Sequence, residues 1–329
     1  MALTRSASTN FLPAKAHILR GYAYIAAAAL CFGISATLGR AAFTGRVLAG
    51  APGLRAIDPL ILAQTRTTFS LLLLAPFLWW RRGRAGMALP RADFVRCLVL
   101  GVLGVAASNY LYYFAIEKTS VAVAIILQYT APVWVLLYMV GRGRQSATTQ
   151  RVSSVALAVA GSALAIGAVG GGGLHLDGWG VAAALVAAFA FAFYNVGGHD
   201  LLTRHDHWRI LTYVLLGAAL FWLVVNPPWK MAAARYSSAE WLFLLLFAVV
   251  SVLVPYLFYF AGLRHLDATR AIVTSCLEPV FSIVIAALAL GELVRPVQVA
   301  GIALVLLATV LVQLPSATDA ESAILEPIE

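Results

Sequence analysis

The chain contains one eight-residue segment twice, as SNYLYYFA at residues 108–115 and as VPYLFYFA at residues 254–261. The two copies lie 146 residues apart, and one inserted residue then shifts the offset to 147. At this new offset three further pairs of dipeptides match: Ala124-Ile125 with Ala271-Ile272, Pro132-Val133 with Pro279-Val280, and Ala156-Leu157 with Ala303-Leu304. The pattern indicates an internal duplication, with one half at residues 21–166 and the other at 178–314.

The composition places both halves in a membrane. Of the 329 residues 62% are hydrophobic and only 11% are charged, whereas soluble domains average roughly 25% charged residues. Because about 20 apolar residues cross a bilayer as a helix, the apolar stretches predict ten transmembrane helices. They lie at residues 21–39, 59–80, 97–116, 119–141, 152–176, 178–199, 210–229, 241–263, 271–291 and 296–318. Their continuous hydrophobicity favours helices over an outer-membrane barrel, so the predicted fold class is an all-α integral membrane protein.

Five predicted spans in each half give the two halves opposite orientations, because the number is odd. Inverted repeats of this kind are typical of secondary transporters, which bind substrate near the midplane between the repeats. A tail at residues 1–20, a glycine-rich linker at 167–177 and an acidic tail at 315–329 complete the predicted organisation. Since the chain holds both repeats, we expect one copy to be the transport unit. A non-transporting membrane scaffold is the alternative.

The distribution of basic residues predicts the orientation. Of the 23 lysines and arginines, 15 fall on the side that carries the N-terminus and 7 on the opposite side, and Arg66 lies inside the second span. The positive-inside rule therefore puts both termini, and the tails at 1–20 and 315–329, in the cytoplasm. The formal net charge of +9 is then a feature of topology, and no nucleic-acid partner is expected.

The sequence offers no pattern typical of enzymes or ATPases. It lacks a phosphate-binding Gly-Lys-Ser/Thr segment, an HExxH segment and a GxSxG segment, and its three cysteines have no CxxC spacing. We therefore expect no catalytic residues, no cofactor and no metal site, and an intramembrane enzyme remains only an alternative.

The second half resembles the closing signature of EamA-type proteins in the drug/metabolite transporter superfamily, through Leu277 to Phe281, Leu290 to Glu292, Gln298 and Gly301. The first half departs from that signature, because Ala131 stands where a glutamate would precede the proline. The aromatic third and eighth spans are similar to the aromatic amino acid exporter branch of YddG type. The resemblance implies export of amino acids or other small amphipathic metabolites across a bacterial inner membrane, without a cofactor.

Prolines within three of the predicted spans predict kinks at Pro132, Pro255 and Pro279. A proline removes a backbone hydrogen bond to the residue four positions earlier, which frees the carbonyls of Gln128 and Ser275. These two positions correspond at the offset of 147, so we expect both side chains to line a central cavity. Kinks that serve packing alone are the alternative.

Arg66 and Glu278 are the charged residues within the predicted spans. Charges at this depth are costly, about 2.5–3.5 kcal/mol each on insertion scales, and often functional. Three roles are open for Glu278: a structural partner of Arg66, a contact for the substrate, or a proton carrier.

The remaining candidates for the cavity are aromatic or polar. Tyr110 and Tyr113, and their counterparts Tyr256 and Tyr259, are three residues apart and share a helical face, where they can stack on a substrate. Tyrosines near span ends also form interfacial belts, and Asn195 can instead hydrogen-bond between helices. We thus expect alternating-access export of aromatic or other neutral amino acids, with nucleosides or cationic drugs as the alternative solutes and the lipid bilayer as the surrounding partner.

Overall fold

The computed structural model describes residues 11–44, 55–119, 121–166, 177–290 and 294–314, and every regular element within these ranges is helical. Almost all of the predicted glycine-rich linker, and all of the acidic tail, lie outside the described residues. The first helix begins at Phe11, ten residues before the predicted first span, so part of the predicted tail is helical.

Fifteen helices follow one another in the described part of the chain. In order they are α1 (Phe11–Thr44), α2 (Pro59–Met87), α3 (Arg91–Val99), α4 (Ala107–Lys118), α5 (Val121–Gln128), α6 (Ala131–Gly141), α7 (Thr149–Ala165), α8 (Gly178–Leu202), α9 (His207–Val225), α10 (Pro228–Ala233), α11 (Ser238–Ala248), α12 (Val254–Leu263), α13 (Ala268–Ser275), α14 (Glu278–Leu290) and α15 (Pro296–Leu311).

Eight helical segments are long and apolar enough to cross a membrane, which makes this a multi-pass membrane protein. They are His17–Ala36, Pro59–Met87, Arg91–Lys118, Val123–Gly141, Gly178–Leu202, His207–Val225, Ser238–Leu263 and Ala268–Ile285. The predicted fifth and tenth spans correspond to the shorter helices α7, of 17 residues, and α15, of 16 residues. The count of ten crossings therefore stays a prediction.

Four spans change their helical geometry partway, at positions that correspond between the two halves. Helix α3 continues into α4 through a π-helical segment, Leu100–Ala106, and α11 continues into α12 through another, Val249–Leu253. Two-residue breaks at 129–130 and 276–277 separate α5 from α6 and α13 from α14. Corresponding sequences thus have corresponding departures from the regular α-helix.

Two of these prolines begin helices after a break. Pro132 and Pro279 occupy the second position of α6 and of α14. A proline is tolerated there because the first-turn N–H groups have no acceptor within the helix. Pro255 instead lies directly after the π-helical segment Val249–Leu253, inside a span that continues from α11. Gln128 and Ser275 are the last residues of α5 and α13, so the helix ends and restarts around each break.

Small residues let the helices pack closely. At Gly101, an added Cβ would lie 2.1 Å from the carbonyl oxygen of Val214, and at Gly217 it would lie 2.4 Å from that of Leu98. Helices α7 and α15 approach in the same way through Gly161 and Gly301. Within a bilayer such close van der Waals packing is a main source of helix association.

Polar contacts connect the two predicted halves at both ends of the bundle. At one end Arg82 pairs with Asp206 at 2.6 Å, and Arg144 pairs with Asp200 at 3.3 Å. At the same end Thr269 donates a hydrogen bond to Gln145, 2.7 Å long.

Another contact between the halves lies at the opposite end, where α2 begins and α9 ends. The Asn226 side-chain amide donates to the Gln64 carbonyl oxygen over 2.7 Å, and both residues are buried. Since burial leaves neither amide access to water, their hydrogen bond replaces lost hydration.

Candidate functional site

An electrostatic interaction relates the two breaks. Glu278 is the first residue of α14, and Tyr129 lies in the break between α5 and α6. The Tyr129 hydroxyl and the Glu278 carboxylate interact electrostatically, and both side chains are half-buried. Because the breaks occupy corresponding positions in the duplicated sequence, this interaction relates the two halves where each helix is interrupted.

Arg66 lies on α2, about 10 Å along the helix axis from its start at Pro59. The guanidinium is half-buried and interacts electrostatically with Glu278 and with the hydroxyls of Tyr112 and Tyr256. No carboxylate oxygen lies within 4 Å of it, and no hydrogen-bond acceptor is in range, among the residues the structure describes. Arg66 and Glu278 therefore attract each other without forming the direct ion pair that one interpretation of the sequence predicts.

Five side chains thus form what we call the central polar cluster: Arg66, Tyr112, Tyr129, Tyr256 and Glu278. They come from α2, α4, the first break, α12 and α14, so both halves contribute. All are half-buried except Tyr256, which is 8% exposed. The arrangement combines one cation, one carboxylate and three phenol groups within the apolar part of the bundle. Such a site can bind a small polar solute and cover its apolar part with aromatic rings.

A second group of side chains is fully packed next to the cluster. Tyr259 donates a hydrogen bond to Asn195. The ring of Tyr194 lies 6.4 Å from that of Tyr259 and 5.8 Å from that of Tyr256. Asn195, Tyr194 and Tyr259 are at most 2% exposed. These contacts hold α8 and α12 together, which agrees with the alternative in which Asn195 hydrogen-bonds between helices.

The first-half tyrosines point in different directions. Tyr110 packs against α9, with its ring centre 6.1 Å from that of Phe221 and 6.5 Å from that of Trp222. Tyr113 contacts Tyr112 at 5.6 Å between ring centres, so it lies beside the central polar cluster. The two residues therefore do not act as one aromatic face.

Two members of the cluster, Tyr112 and Tyr129, were absent from the predicted site residues. Tyr112 lies within the duplicated segment at 108–115, but the i, i+3 spacing there pairs Tyr110 with Tyr113 and leaves Tyr112 out. Tyr129 directly follows Gln128 and precedes the Pro132 helix start, so its position beside a proline-associated break is the signal that could have found it. Its counterpart at the offset of 147 is Cys276, and the duplication therefore gave no hint of a tyrosine there.

No metal centre can be assigned in the described ranges, which hold no group of three or more His, Cys, Asp or Glu side chains in ligating positions. The acidic side chain most enclosed near the α8–α9 loop is Asp93, which accepts from Arg204 at 3.1 Å and pairs with His205 at 2.7 Å. These contacts hold the α8–α9 loop against α3 and give the Asp93 carboxylate positively charged and hydrogen-bonding partners.

Comparison with known proteins agrees with a transport protein. The model of the EamA-like transporter family matches residues 19–167 and 178–314. An uncharacterized transporter of Archaeoglobus fulgidus is 28% identical over 261 residues, covering 76% of this chain and 84% of the relative. The threonine/homoserine exporter RhtA of Escherichia coli strain K12 is 26% identical over 265 residues, covering 80% of this chain and 81% of RhtA.

A solved structure shares the fold. One crystal structure of a protein superposes with a TM-score of 0.69, at 18% sequence identity, over 91% of this chain and 97% of the other. The uncharacterized inner membrane transporter YicL of Salmonella typhimurium is 22% identical over 269 residues, covering 80% of this chain and 87% of YicL.

Proposed function

Because this chain belongs to the EamA-like transporter family, we propose that it exports neutral amino acids, aromatic ones included, from the bacterial cytoplasm. It is a membrane transporter with homologues named as transporters, among them an exporter of threonine and homoserine. The proposed mechanism is alternating access across the inner membrane, in which substrate binds at the central polar cluster. A single copy is the proposed transport unit.

The observation that carries the proposal is the composition of the cluster. A cation and a carboxylate within the spans, contributed by different halves and not directly paired, interact electrostatically with three tyrosines. A neutral amino acid has both charges at one end and an apolar or small side chain at the other, so its chemistry matches that of the site. Nucleosides and cationic drugs, the alternative solutes, do not carry both charges and therefore match the chemistry of the site only in part.

The proposed architecture is ten spans arranged as two inverted five-helix repeats, at residues 21–166 and 178–314. Support comes from the corresponding π-helical segments and the corresponding breaks, together with the close packing of the shorter helices α7 and α15. The 15-to-7 division of basic residues supports cytoplasmic termini, because positive residues are retained on that side.

A flux assay tests the function. The purified protein in proteoliposomes should exchange radiolabelled threonine, leucine or phenylalanine faster than empty liposomes do, and nucleosides should not move. Tyr256→Ala should lower this flux at least several-fold, while the matched Tyr138→Ala, at a 42% exposed tyrosine of α6, should leave it unchanged. Flux of nucleosides or cationic drugs without any amino acid flux would reject the proposed substrate class.

Cysteine labelling tests the orientation. In a background without Cys31, Cys97 and Cys276, single cysteines at the exposed positions Arg84 and Arg235 should react differently with an impermeant thiol reagent. Only the cysteine at 235 should react in intact cells. Labelling of position 84 alone would reverse the proposed topology.

A further inference from the structure

An apolar groove lies on the outer surface of the bundle between α2 and α11, and we call it the α2–α11 groove. Its volume is about 470 Å³. The six side chains that line it are all apolar or aromatic: Phe69, Leu72, Leu73, Trp241, Leu242 and Leu245. Leu72 and Leu242 are 60% and 56% exposed. Since both helices belong to spans, the groove opens into the hydrocarbon of the bilayer, where water is absent.

The floor of the α2–α11 groove is a packed seam between the two proposed halves. Four side chains that are at most 3% exposed pack together beneath Phe69 and Trp241: Ile57, Leu62, Leu244 and Phe247. Ser70 adds a hydrogen bond across the seam, 3.1 Å long, to the carbonyl oxygen of Ala248. Any occupant of the groove therefore touches both halves at once.

A polar pocket, which we call the Arg55 pocket, lies at the end of this seam where α2 begins. Its volume is about 580 Å³, and its lining comes from residues 55–59, Ala234 and Tyr236. The exposed Arg55 guanidinium donates a hydrogen bond to the Ala234 carbonyl oxygen and lies 5.0 Å from the centre of the Tyr236 ring. A guanidinium carries five N–H donors, and among the described residues this is its one hydrogen bond. The pocket can therefore bind an anion.

The two carboxylates near Arg55 receive their hydrogen bonds from other groups. Asp58 accepts from two backbone N–H groups in the first turn of α2, at 2.8 and 3.1 Å. Glu240 accepts from the backbone N–H groups of Arg55 and Ser237, at 2.9 and 2.6 Å. Within the described ranges neither carboxylate lies within 4 Å of the Arg55 guanidinium. The exposed Arg235, next to Tyr236 in the chain, adds a second positive charge.

Aromatic rings connect the Arg55 pocket with the α2–α11 groove. The Tyr236 and Trp241 ring centres are 5.9 Å apart, and those of Trp241 and Phe69 are 6.2 Å apart. With the step of 5.0 Å from Arg55 to Tyr236, the guanidinium and the Phe69 ring are at most about 17 Å apart. Half of a hydrocarbon core measures about 15 Å. This spacing matches the headgroup and one acyl chain of a single phospholipid.

We propose that the Arg55 pocket and the α2–α11 groove together bind one anionic phospholipid. Its phosphate accepts hydrogen bonds from Arg55, because a guanidinium fits phosphate oxygens in a bidentate manner. One acyl chain lies along Trp241 and Phe69 and covers the exposed leucines of the groove. The lipid thus bridges the two halves at the end where α2 begins. A basic residue at a membrane surface gives roughly a 5-fold preference for an anionic lipid over a zwitterionic one.

Quenching of tryptophan fluorescence by lipids brominated on an acyl chain tests the site. The protein is reconstituted into phosphatidylcholine vesicles that contain increasing fractions of brominated phosphatidylglycerol or, in a parallel series, of brominated phosphatidylcholine. The chain has eight tryptophans, so quenching at the groove is the difference between the wild-type protein and Trp241→Phe. This difference should reach half of its maximum at a roughly 5-fold lower fraction of brominated phosphatidylglycerol than of brominated phosphatidylcholine.

Two variants locate the headgroup. Arg55→Gln should remove the preference, so that both brominated lipids quench Trp241 equally well. Lys118→Gln is the matched control, because Lys118 is also an exposed cation over an aromatic ring, 5.6 Å from the centre of Phe114, but lines neither the groove nor the pocket. Lys118→Gln should keep the wild-type preference. Each variant is compared with the same variant carrying Trp241→Phe.

Three results would overturn the proposal. Equal quenching of Trp241 by the two lipids in the wild-type protein would leave only ordinary contact with the bilayer, and this comparison decides even if Arg55→Gln does not fold. A preference that survives in Arg55→Gln would place the headgroup elsewhere. Absence of quenching at Trp241 by either lipid would mean that another occupant, such as a second copy of the chain, covers the groove. Because no solute is involved, these results are independent of the proposed amino acid export.

Discussion

Replacing Gly301 by alanine should separate α7 from α15 and destabilise the protein. The added Cβ would lie 2.3 Å from the backbone nitrogen of Ala165, 2.7 Å from the carbonyl oxygen of Gly161 and 2.8 Å from the Ala165 Cα. All three atoms belong to the backbone of α7, so no change of rotamer relieves the overlap. Ordinary contacts begin at 3.4 Å, and the helices must therefore move apart by roughly 1 Å.

The cost follows from the size of this shift. A gap of about 0.5–1 Å removes roughly a quarter to a half of the dispersion energy of each contact, and overpacking typically costs about 1–3 kcal/mol. The shift also strains the hydrogen bond from Gln298 to the Ala165 carbonyl, 3.2 Å long. We expect a loss near the upper end, about 3 kcal/mol. At about 2 °C per kcal/mol for a large chain, the midpoint of thermal unfolding should fall by about 5 °C or more.

Thermal unfolding of the detergent-solubilised protein, followed by tryptophan fluorescence, measures this change. Gly141→Ala is the matched control, because an added Cβ there has no atom within 4 Å, and its midpoint should equal that of the wild type. Gly161→Ala should resemble Gly301→Ala, and the double variant should cost less than the sum because both act on one interface. Equal midpoints for Gly301→Ala and Gly141→Ala would refute the reasoning.

Three further predictions concern polar groups. Burial lowers the pKa of His265 below its ordinary value, so protonation opposes folding as pH falls through about 6.5. The wild-type protein should therefore lose more thermal stability between about pH 7.5 and 5.5 than the His265→Gln variant does. Equal losses in the two proteins would contradict this expectation. Burial raises the pKa of Asp206, but the hydrogen bond from Arg82 and nearby positive charges outweigh burial and lower that pKa overall. A double-mutant cycle on Arg82 and Asp206 should give a coupling energy of about 0.5–1 kcal/mol at neutral pH, and this coupling should be lost below about pH 4 and in about 1 M salt. A coupling energy that neither condition changes would exclude an ion pair. Asn226→Ala should lower the free energy of unfolding by about 1–3 kcal/mol because it leaves the buried Gln64 side-chain carbonyl without its donor. Adding Gln64→Leu should restore most of this stability. If it restores none, the cost comes from packing.

The sequence by itself determined where the membrane helices lie and where several of them are interrupted, because both depend on residues that are neighbours in the chain. The apolar stretches predict membrane helices because transfer of a helix into lipid depends on its own composition. The prolines mark the interruptions because they act on the residues next to them: Pro132 and Pro279 follow the two breaks, and Pro255 follows a π-helical segment. The family assignment likewise followed from a contiguous segment, Leu277 to Phe281, and the family model matches both halves.

Which side chains meet was decided by the tertiary structure. Tyr259 and Asn195 are hydrogen-bonded although 64 positions separate them in sequence, and Tyr110 packs on α9 while Tyr113, three residues later, contacts Tyr112. The sequence also left open whether Arg66 and Glu278 touch, and the structure keeps them apart. Helical periodicity assigns a residue to a face of its own helix, but contact with another helix depends on how closely the two backbones approach. In a bilayer that approach is set by van der Waals packing and interhelical hydrogen bonds between specific side chains, and these arise only when the helices are assembled.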